Sequence, residues 1–369
     1  MILQVNKLRS KLIRIIISWF GERSILKEIM NDKTEFLLPG RYIICGKEQR
    51  MLYLKESKAV GFIDSNQRHL VRNGYRQNII KLLSKKVAGE VFSIIIKKNT
   101  ETIFHVSLLM RTKKNDIRIF DFSQMKIVNF VSDENNLRLR AESYQVFYKY
   151  FTIPQQAFDF TRLQYVEELI DFRPYSTWSI SEKIRCIEII TEQYKAYITH
   201  CRTQNKCSLT LVEITKRFQN MCNIPRELME KIISIFERQP EDMNNRFILI
   251  KSHGDLTINN VLLAGDKYFI IDWEDTGDYV FFYDFYNLLF MEKFLSNNDY
   301  FINLFVTENL NYLQNIIFNA AGLEYQAEWK TLYIIIYFLF GIEKQILHGE
   351  IPDKLIIDYL SKIVESYLT

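Results

Sequence analysis

Hydrophobic and polar positions alternate in short runs through the first half of this chain and recur at helical spacing through most of the second. Arg41 to Cys45, Met51 to Leu54 and Ala59 to Ile63 read as short strands broken by Gly40, Gly46 and Gly61, and a helix is expected near Gln77 to Ser84. From Gly89 to Val131 strand signals dominate: Val91 to Ile96, Ile103 to Met110, Ile117 to Phe122 and Lys126 to Val131. Short polar turns such as Lys113-Lys114-Asn115-Asp116 separate them, which predicts an antiparallel meander. A helix over about 136–150 follows and stops before Pro154, and two more strand-like runs come next, Ala157 to Phe160 and Gln164 to Ile170. After Asp171-Phe172-Arg173-Pro174 the period changes. Residues 180–240 and nearly everything beyond Tyr283 are helical, with a strand-and-loop stretch, Phe247 to Trp273, between them.

The pattern predicts an α+β chain in three parts: an extension over 1–85, a β-rich lobe with one helix over 86–172, and a mainly helical lobe over 173–369. Within the extension, Val5, Leu8, Leu12, Ile15, Ile16 and Trp19 make one apolar face, flanked by Lys7, Arg9, Lys11 and Arg14. The uncharged run Ile15 to Phe20 is too short to span a bilayer, and no small-residue cleavage site follows it. Packing on its own domain is the favoured expectation for this amphipathic helix. Peripheral contact of residues 1–30 with an anionic membrane surface is the alternative.

Composition changes this picture little. The 369 residues are 48% hydrophobic and 25% charged with a net charge of +4 and no concentrated basic stripe, which argues against a nucleic-acid partner. Cys45, Cys186, Cys201, Cys207 and Cys222 fall at irregular spacings without a metal-site pattern. An odd count without a secretory signal points to reduced thiols and a cytoplasmic protein.

The chemistry is concentrated in His253-Gly254-Asp255-Leu256-Thr257-Ile258-Asn259-Asn260, followed by the hydrophobic strand Tyr268 to Ile271 and by Asp272-Trp273-Glu274. This pattern resembles that of the aminoglycoside phosphotransferase and choline kinase-like superfamily, which implies phosphoryl transfer, a reaction that needs positioning and charge neutralisation more than covalent help. A carboxylate at the acceptor hydroxyl, Asp255, orients it and takes its proton. Magnesium takes hard oxygen ligands, here the Asn260 amide oxygen and the Asp272 carboxylate. The five-residue step from Asp255 to Asn260 lets the loop turn back so both face one cleft. Read blandly, Asp255 and Asn260 only cap turns, which leaves the buried strand directly before Asp272 unexplained.

This segment resembles the catalytic loop and metal-binding segment of the aminoglycoside phosphotransferase and choline kinase-like superfamily. The resemblance covers about residues 88–369, with 1–85 outside it. It implies a two-lobed protein-kinase-like fold and transfer of the γ-phosphoryl group of ATP, with magnesium, to a hydroxyl of a small-molecule acceptor. It also implies that His253 braces the catalytic loop and that Asp284 accepts backbone hydrogen bonds from it. Glu274 remains open between a metal or acceptor contact and a plain loop carboxylate.

The β-rich lobe is harder to read. Lys126 and Glu142, sixteen residues apart, are the expected phosphate-binding lysine and its helix glutamate, with Arg118 on the previous strand as the alternative to Lys126. Backbone groups of Glu168 to Ile170 are expected to meet adenine, and no glycine-rich phosphate loop stands in this lobe. The acceptor is expected to be a hydroxyl of a neutral or anionic sugar or glycan precursor. A cation would call for a carboxylate cluster or an aromatic cage, whereas Phe281, Phe282, Tyr283, Phe285 and Tyr286 point around a whole helical turn and read as core. A choline, ethanolamine or aminoglycoside kinase, or a pseudokinase serving as an interaction module, are the alternatives.

Overall fold

The computed structural model describes residues 40–45, 51–54, 93–96, 106–111, 116–204, 207–219, 221, 224–239, 246–296 and 298–368. The expected amphipathic helix, the strand Ala59 to Ile63 and the helix near Gln77 lie outside these residues. The chain divides into two compact units: Met1–Leu139 with Pro154–Ile170, and Arg140–Ile153 with Asp171–Thr369.

The first unit is one antiparallel sheet: β1 (Gly40–Cys45), β2 (Met51–Leu54), β3 (Ser93–Ile96), β4 (Val106–Arg111), β5 (Ile117–Asp121), β6 (Lys126–Phe130), β7 (Gln156–Asp159) and β8 (Gln164–Glu168). Their order is β3-β1-β2-β4-β5-β6-β8-β7. The expected meander therefore begins at β4, because β3 pairs with β1 and the β1–β2 hairpin stands between β3 and β4. Strand existence follows from local alternation, but the choice of partner is set by burial between distant segments. The β5–β6 turn is pinned by Asp121, whose Oδ1 accepts from the backbone N–H of Ser123 (2.9 Å) and of Gln124 (3.0 Å).

Helix α1 (Glu134–Phe147) begins two residues before its expected start, because Asp133 accepts from the N–H groups of Asn135 and Asn136. Leu137 on its first half packs with Val131 and Tyr165 of the sheet unit. From Arg140 onward the helix counts with the second unit.

The second unit contains α2 (Ile180–Gln204), β9 (Ser208–Leu209), α3 (Leu211–Phe218), α4 (Arg226–Glu237), β10 (Phe247–Ser252), β11 (Val261–Ala264), β12 (Lys267–Ile270), β13 (Gly277–Val280), α5 (Tyr283–Ser296), α6 (Tyr300–Val306), α7 (Asn311–Ala321), α8 (Lys330–Leu347) and α9 (Lys354–Leu368). Among them β10 is the middle strand of β13-β10-β9, and β11 pairs with β12 as a hairpin. The run Leu332 to Phe340 makes α8 apolar on all sides, so it is buried throughout this stretch. Phe281, Phe282, Tyr283, Phe285 and Tyr286 are all buried core, as their spacing around a helical turn predicts. Each such ring contributes about 1.5–3 kcal/mol by leaving water.

Candidate active site

The second unit gathers His253, Asp255, Asn260 and Asp272 through two short-range devices. A single 3-10 turn over Ile258–Asn260 bends the loop back, closed by the Asn260 N–H donating to Thr257 O at 2.9 Å. The β11–β12 hairpin then pairs Val261 with Ile270, and the Ile271 N–H donates to Asn260 O at 3.0 Å. Asn260 thereby stands opposite the residue just before Asp272.

Asn260 is oriented by its own loop. Its Nδ2 donates to Asp255 O at 2.7 Å and lies 3.4 Å from Asp255 Oδ2. With the amide nitrogen held there, the amide oxygen faces the opposite way, as a cation ligand must. Asp272 is exposed and takes a left-handed backbone, φ +68°, unusual for a non-glycine residue and the kind of local strain that accompanies functional turns. Among the described residues no three His, Cys, Asp or Glu side chains could hold a metal by themselves. One carboxylate and one amide oxygen instead suit magnesium completed by phosphate oxygens and water.

His253 is fully buried. The Asp255 N–H points at its Nδ1 (3.3 Å), so Nε2 carries the proton and donates to Ile271 O at 2.8 Å. This ring joins the His253–Asn260 loop to the residue just before Asp272. Its face lies against Trp273, with ring centres 4.6 Å apart.

Beneath the loop, Asp284 opens α5 and is fully buried. One of its oxygens accepts from the N–H of Gly254 at 2.9 Å. The other accepts from the N–H of His253 at 2.6 Å and from the Tyr194 hydroxyl at 2.5 Å. Burial pushes the Asp284 carboxyl up from its ordinary value, while His253 and these donors pull it back. Three residues further along α5, Asn287 Nδ2 donates to Leu256 O at 3.2 Å and its Oδ1 accepts from the Tyr337 hydroxyl at 3.0 Å. Gly254 is required here: its φ is +79°, and a Cβ would stand 2.2 Å from Asp275 O.

Two cations that reach this region carry no local sequence signal. Lys344 of α8 donates to Gly254 O at 2.9 Å, and its Nζ lies 3.2 Å from Asp275 Oδ2 and 4.0 Å from Asp255 Oδ1. Arg140 of α1 pairs with Glu274 at 2.5 Å, which makes Glu274 an ion-pair partner of α1. The same half of α1 brings Ser143 within 3.4 Å of the Thr276 hydroxyl and stacks Phe147 on Trp273 at 4.2 Å.

In the sheet unit, Lys126 and Glu168 are exposed ladder neighbours, with Asp121 across from Lys126 on the other side. Cross-strand partners share a face. Arg118, Asn129 and Tyr165 are directly paired, and Tyr165 packs on Leu137 of α1. Arg118 therefore lies on the α1-facing side of the sheet, and Lys126, three residues from Asn129, lies on the other. The Glu168 N–H donates to Gln155 O and the Leu169 N–H to Met125 O, both at 2.9 Å. Any backbone donor for adenine in this segment thus begins at Ile170, which is itself buried. Glu142 is exposed on the second half of α1.

A family model described as the phosphotransferase enzyme family matches residues 217–314, which contain the whole of this loop, Asp272 and Asp284. No curated protein sequence matches the chain. Among solved structures, choline kinase LicA from Streptococcus pneumoniae is 15% identical, covering 78% of this chain and 99% of that one, with a TM-score of 0.39. A choline/ethanolamine kinase family protein from Mesorhizobium loti is 14% identical, covering 70% and 87%, with a TM-score of 0.39. A thermostable mutant of aminoglycoside phosphotransferase APH(4)-Ia is 12% identical, covering 71% and 94%, with a TM-score of 0.45. Likenesses at these scores carry no part of the assignment, which rests on the matched segment and its motif. On that ground residues 217–314 are similar to the phosphotransferase enzyme family.

Proposed function

We propose that this protein is an ATP- and magnesium-dependent phosphotransferase that moves the γ-phosphoryl group to a hydroxyl of a small molecule, a sugar or glycan precursor. The observation that carries the reading is the Asp255–Asn260 turn, locked from below by Asp284 and from the side by His253. Asp255 orients the acceptor hydroxyl and accepts its proton as the new oxygen–phosphorus bond forms. Asn260 and Asp272 are the ligands for magnesium, which neutralises charge on the phosphates when bound. His253 and Asp284 hold the loop and do no chemistry. On the sheet, Arg118 or Lys126 contacts the phosphates, Glu142 is the helix glutamate, and the segment from Glu168 to Ile170 borders adenine.

A neutral or anionic acceptor is favoured by the company Asp255 keeps. An ammonium group stands 4.0 Å from its carboxylate, so a cationic acceptor presenting its hydroxyl there would bring its own charge near another cation. The aromatic run at the start of α5 is packed core and offers no cage. The test is ATP consumption with magnesium over a panel of sugars, amino alcohols and aminoglycosides. Saturable turnover of a sugar is expected. Turnover of choline or an aminoglycoside at micromolar levels, with every sugar silent, would overturn the acceptor class, and no turnover of any acceptor by the intact protein would favour a pseudokinase.

A further inference from the structure

We propose that Lys344 is a further catalytic residue: its ammonium group contacts the phosphoryl group in flight beside Asp255. The proposal rests on the phosphotransferase reading above. The loop from His253 to Asn260 carries no Lys or Arg of its own. Between Lys251 and Lys293 the only Lys or Arg is Lys267, which is exposed at the far turn of the β11–β12 hairpin. The charge comes instead from α8, ninety residues beyond Gly254.

Lys344 is held as a contact group would be. Its side chain is 13% exposed, and the Asp255 side chain 17%. One ammonium hydrogen goes to Gly254 O at 2.9 Å, and a second faces Asp275 Oδ2 at 3.2 Å. Asp255 Oδ1, at 4.0 Å, is beyond hydrogen-bonding distance. An ammonium has three hydrogens, so one is left to reach an oxygen arriving at the Asp255 side. The next cation on this helix face, reached from α3, is Arg217, and it is committed to both oxygens of Glu343 at 2.8 Å each.

The electrostatics call for such a group. Asp255 must accept a proton while an anionic phosphoryl group approaches within bonding distance of the same acceptor oxygen. Asn260 and Asp272 serve magnesium on the nucleotide side and leave that repulsion uncompensated on the acceptor side. In the step, the acceptor oxygen bonds to phosphorus and the bond from phosphorus to the bridging oxygen breaks. That electron pair leaves with ADP, and the acceptor proton passes to Asp255. Lys344 keeps its proton throughout and donates a hydrogen bond to a non-bridging oxygen, which preorganises charge where it develops.

The test uses the full chain with magnesium, ADP and aluminium fluoride, a mimic of the phosphoryl group in flight that needs no identified acceptor. In the wild type, aluminium fluoride should raise Tm beyond the value with magnesium and ADP alone. Lys344→Met should bind magnesium-ADP within about twofold of wild type, yet bind the aluminium fluoride complex at least about thirtyfold more weakly, as expected on losing a preorganised charge contact. Lys344→Arg should keep most of the increment. If Lys344→Met keeps the full increment, Lys344 is only a strut for Gly254 and the proposal fails alone. If Lys344→Met loses magnesium-ADP binding as well, Lys344→Arg decides, and loss of the increment in that variant with magnesium-ADP binding intact also defeats the proposal. A wild type that binds no magnesium-ADP overturns the phosphotransferase reading and this role together.

Discussion

Around Asp255 nearly every polar group is tied to another, whereas Lys126 on the sheet and Glu142 on α1, both expected at the phosphates, are exposed. The Asp255 loop is fixed by bonds to Ile271 just after β12, to Asp284 and Asn287 of α5 and to Lys344 of α8. Lys126, Glu142 and Glu168 are exposed. A motif whose parts lie within about twenty residues fixes its own geometry through one turn and one hairpin. A strand charge takes its meaning from the face it occupies, and a slip of one residue reverses that face.

The largest effect is expected from removing the buried anchor. Asp284→Ala leaves three donors without an acceptor, at about 1–3 kcal/mol for each buried unsatisfied group, so unfolding free energy should fall by at least about 3 kcal/mol. Urea denaturation of the purified variant checks this, and a loss below about 1 kcal/mol would contradict the anchoring role.

Next in size is Asp272→Ala. Ligands that bind only the folded state raise its stability, so wild-type Tm should climb with magnesium-ATP and the variant's should not. An unchanged shift in the variant would remove Asp272 from the metal site.

The sheet gives a smaller and more discriminating test. Arg118 lies on the α1-facing side and Lys126 does not, so Arg118→Ala should raise the KM for ATP or lower turnover several-fold more than Lys126→Ala. The reverse ranking would favour Lys126 as the phosphate contact.

The smallest expected effect concerns pH. Glu182 and Glu213 are held below the usual carboxylate value, first by the N–H groups of Ser179 and Thr210 that they cap. A lowered folded value means the stabilisation is present above the ordinary pKa of 4.5 and fades as pH falls through the depressed one. The double variant Glu182→Gln, Glu213→Gln should therefore narrow its Tm deficit against wild type on acidification from pH 7. A deficit that stays constant down to pH 3 would contradict it.

What could be read from the sequence follows the same division. The His253 to Asn260 loop and Asp272 were legible because one turn and one hairpin of near neighbours build them, whereas the bracing role of Asp284, thirty residues from Gly254, was legible only through the resemblance. Asn287 had a usable signal, three residues after Asp284 on one helix face. Tyr194, Arg140 and Lys344 had none, since they meet the loop only through the packing of α2, α1 and α8. Within the sheet, alternation located the strands to within a few residues but did not show that β3 pairs with β1. Among the described residues no helix is long and apolar enough to cross a membrane, and the basic segment 1–30 lies outside them.

In the proposed reaction Asp255 acts on the acceptor and not on the nucleotide. This role is tested most directly by comparing Asp255→Asn with wild type in two assays: magnesium-ATP binding followed by Tm, and turnover on whichever acceptor the panel yields. Binding should survive nearly intact while turnover falls by about a hundredfold or more, as expected when proton transfer and acceptor orientation are lost together. Near-normal turnover in Asp255→Asn would contradict the account.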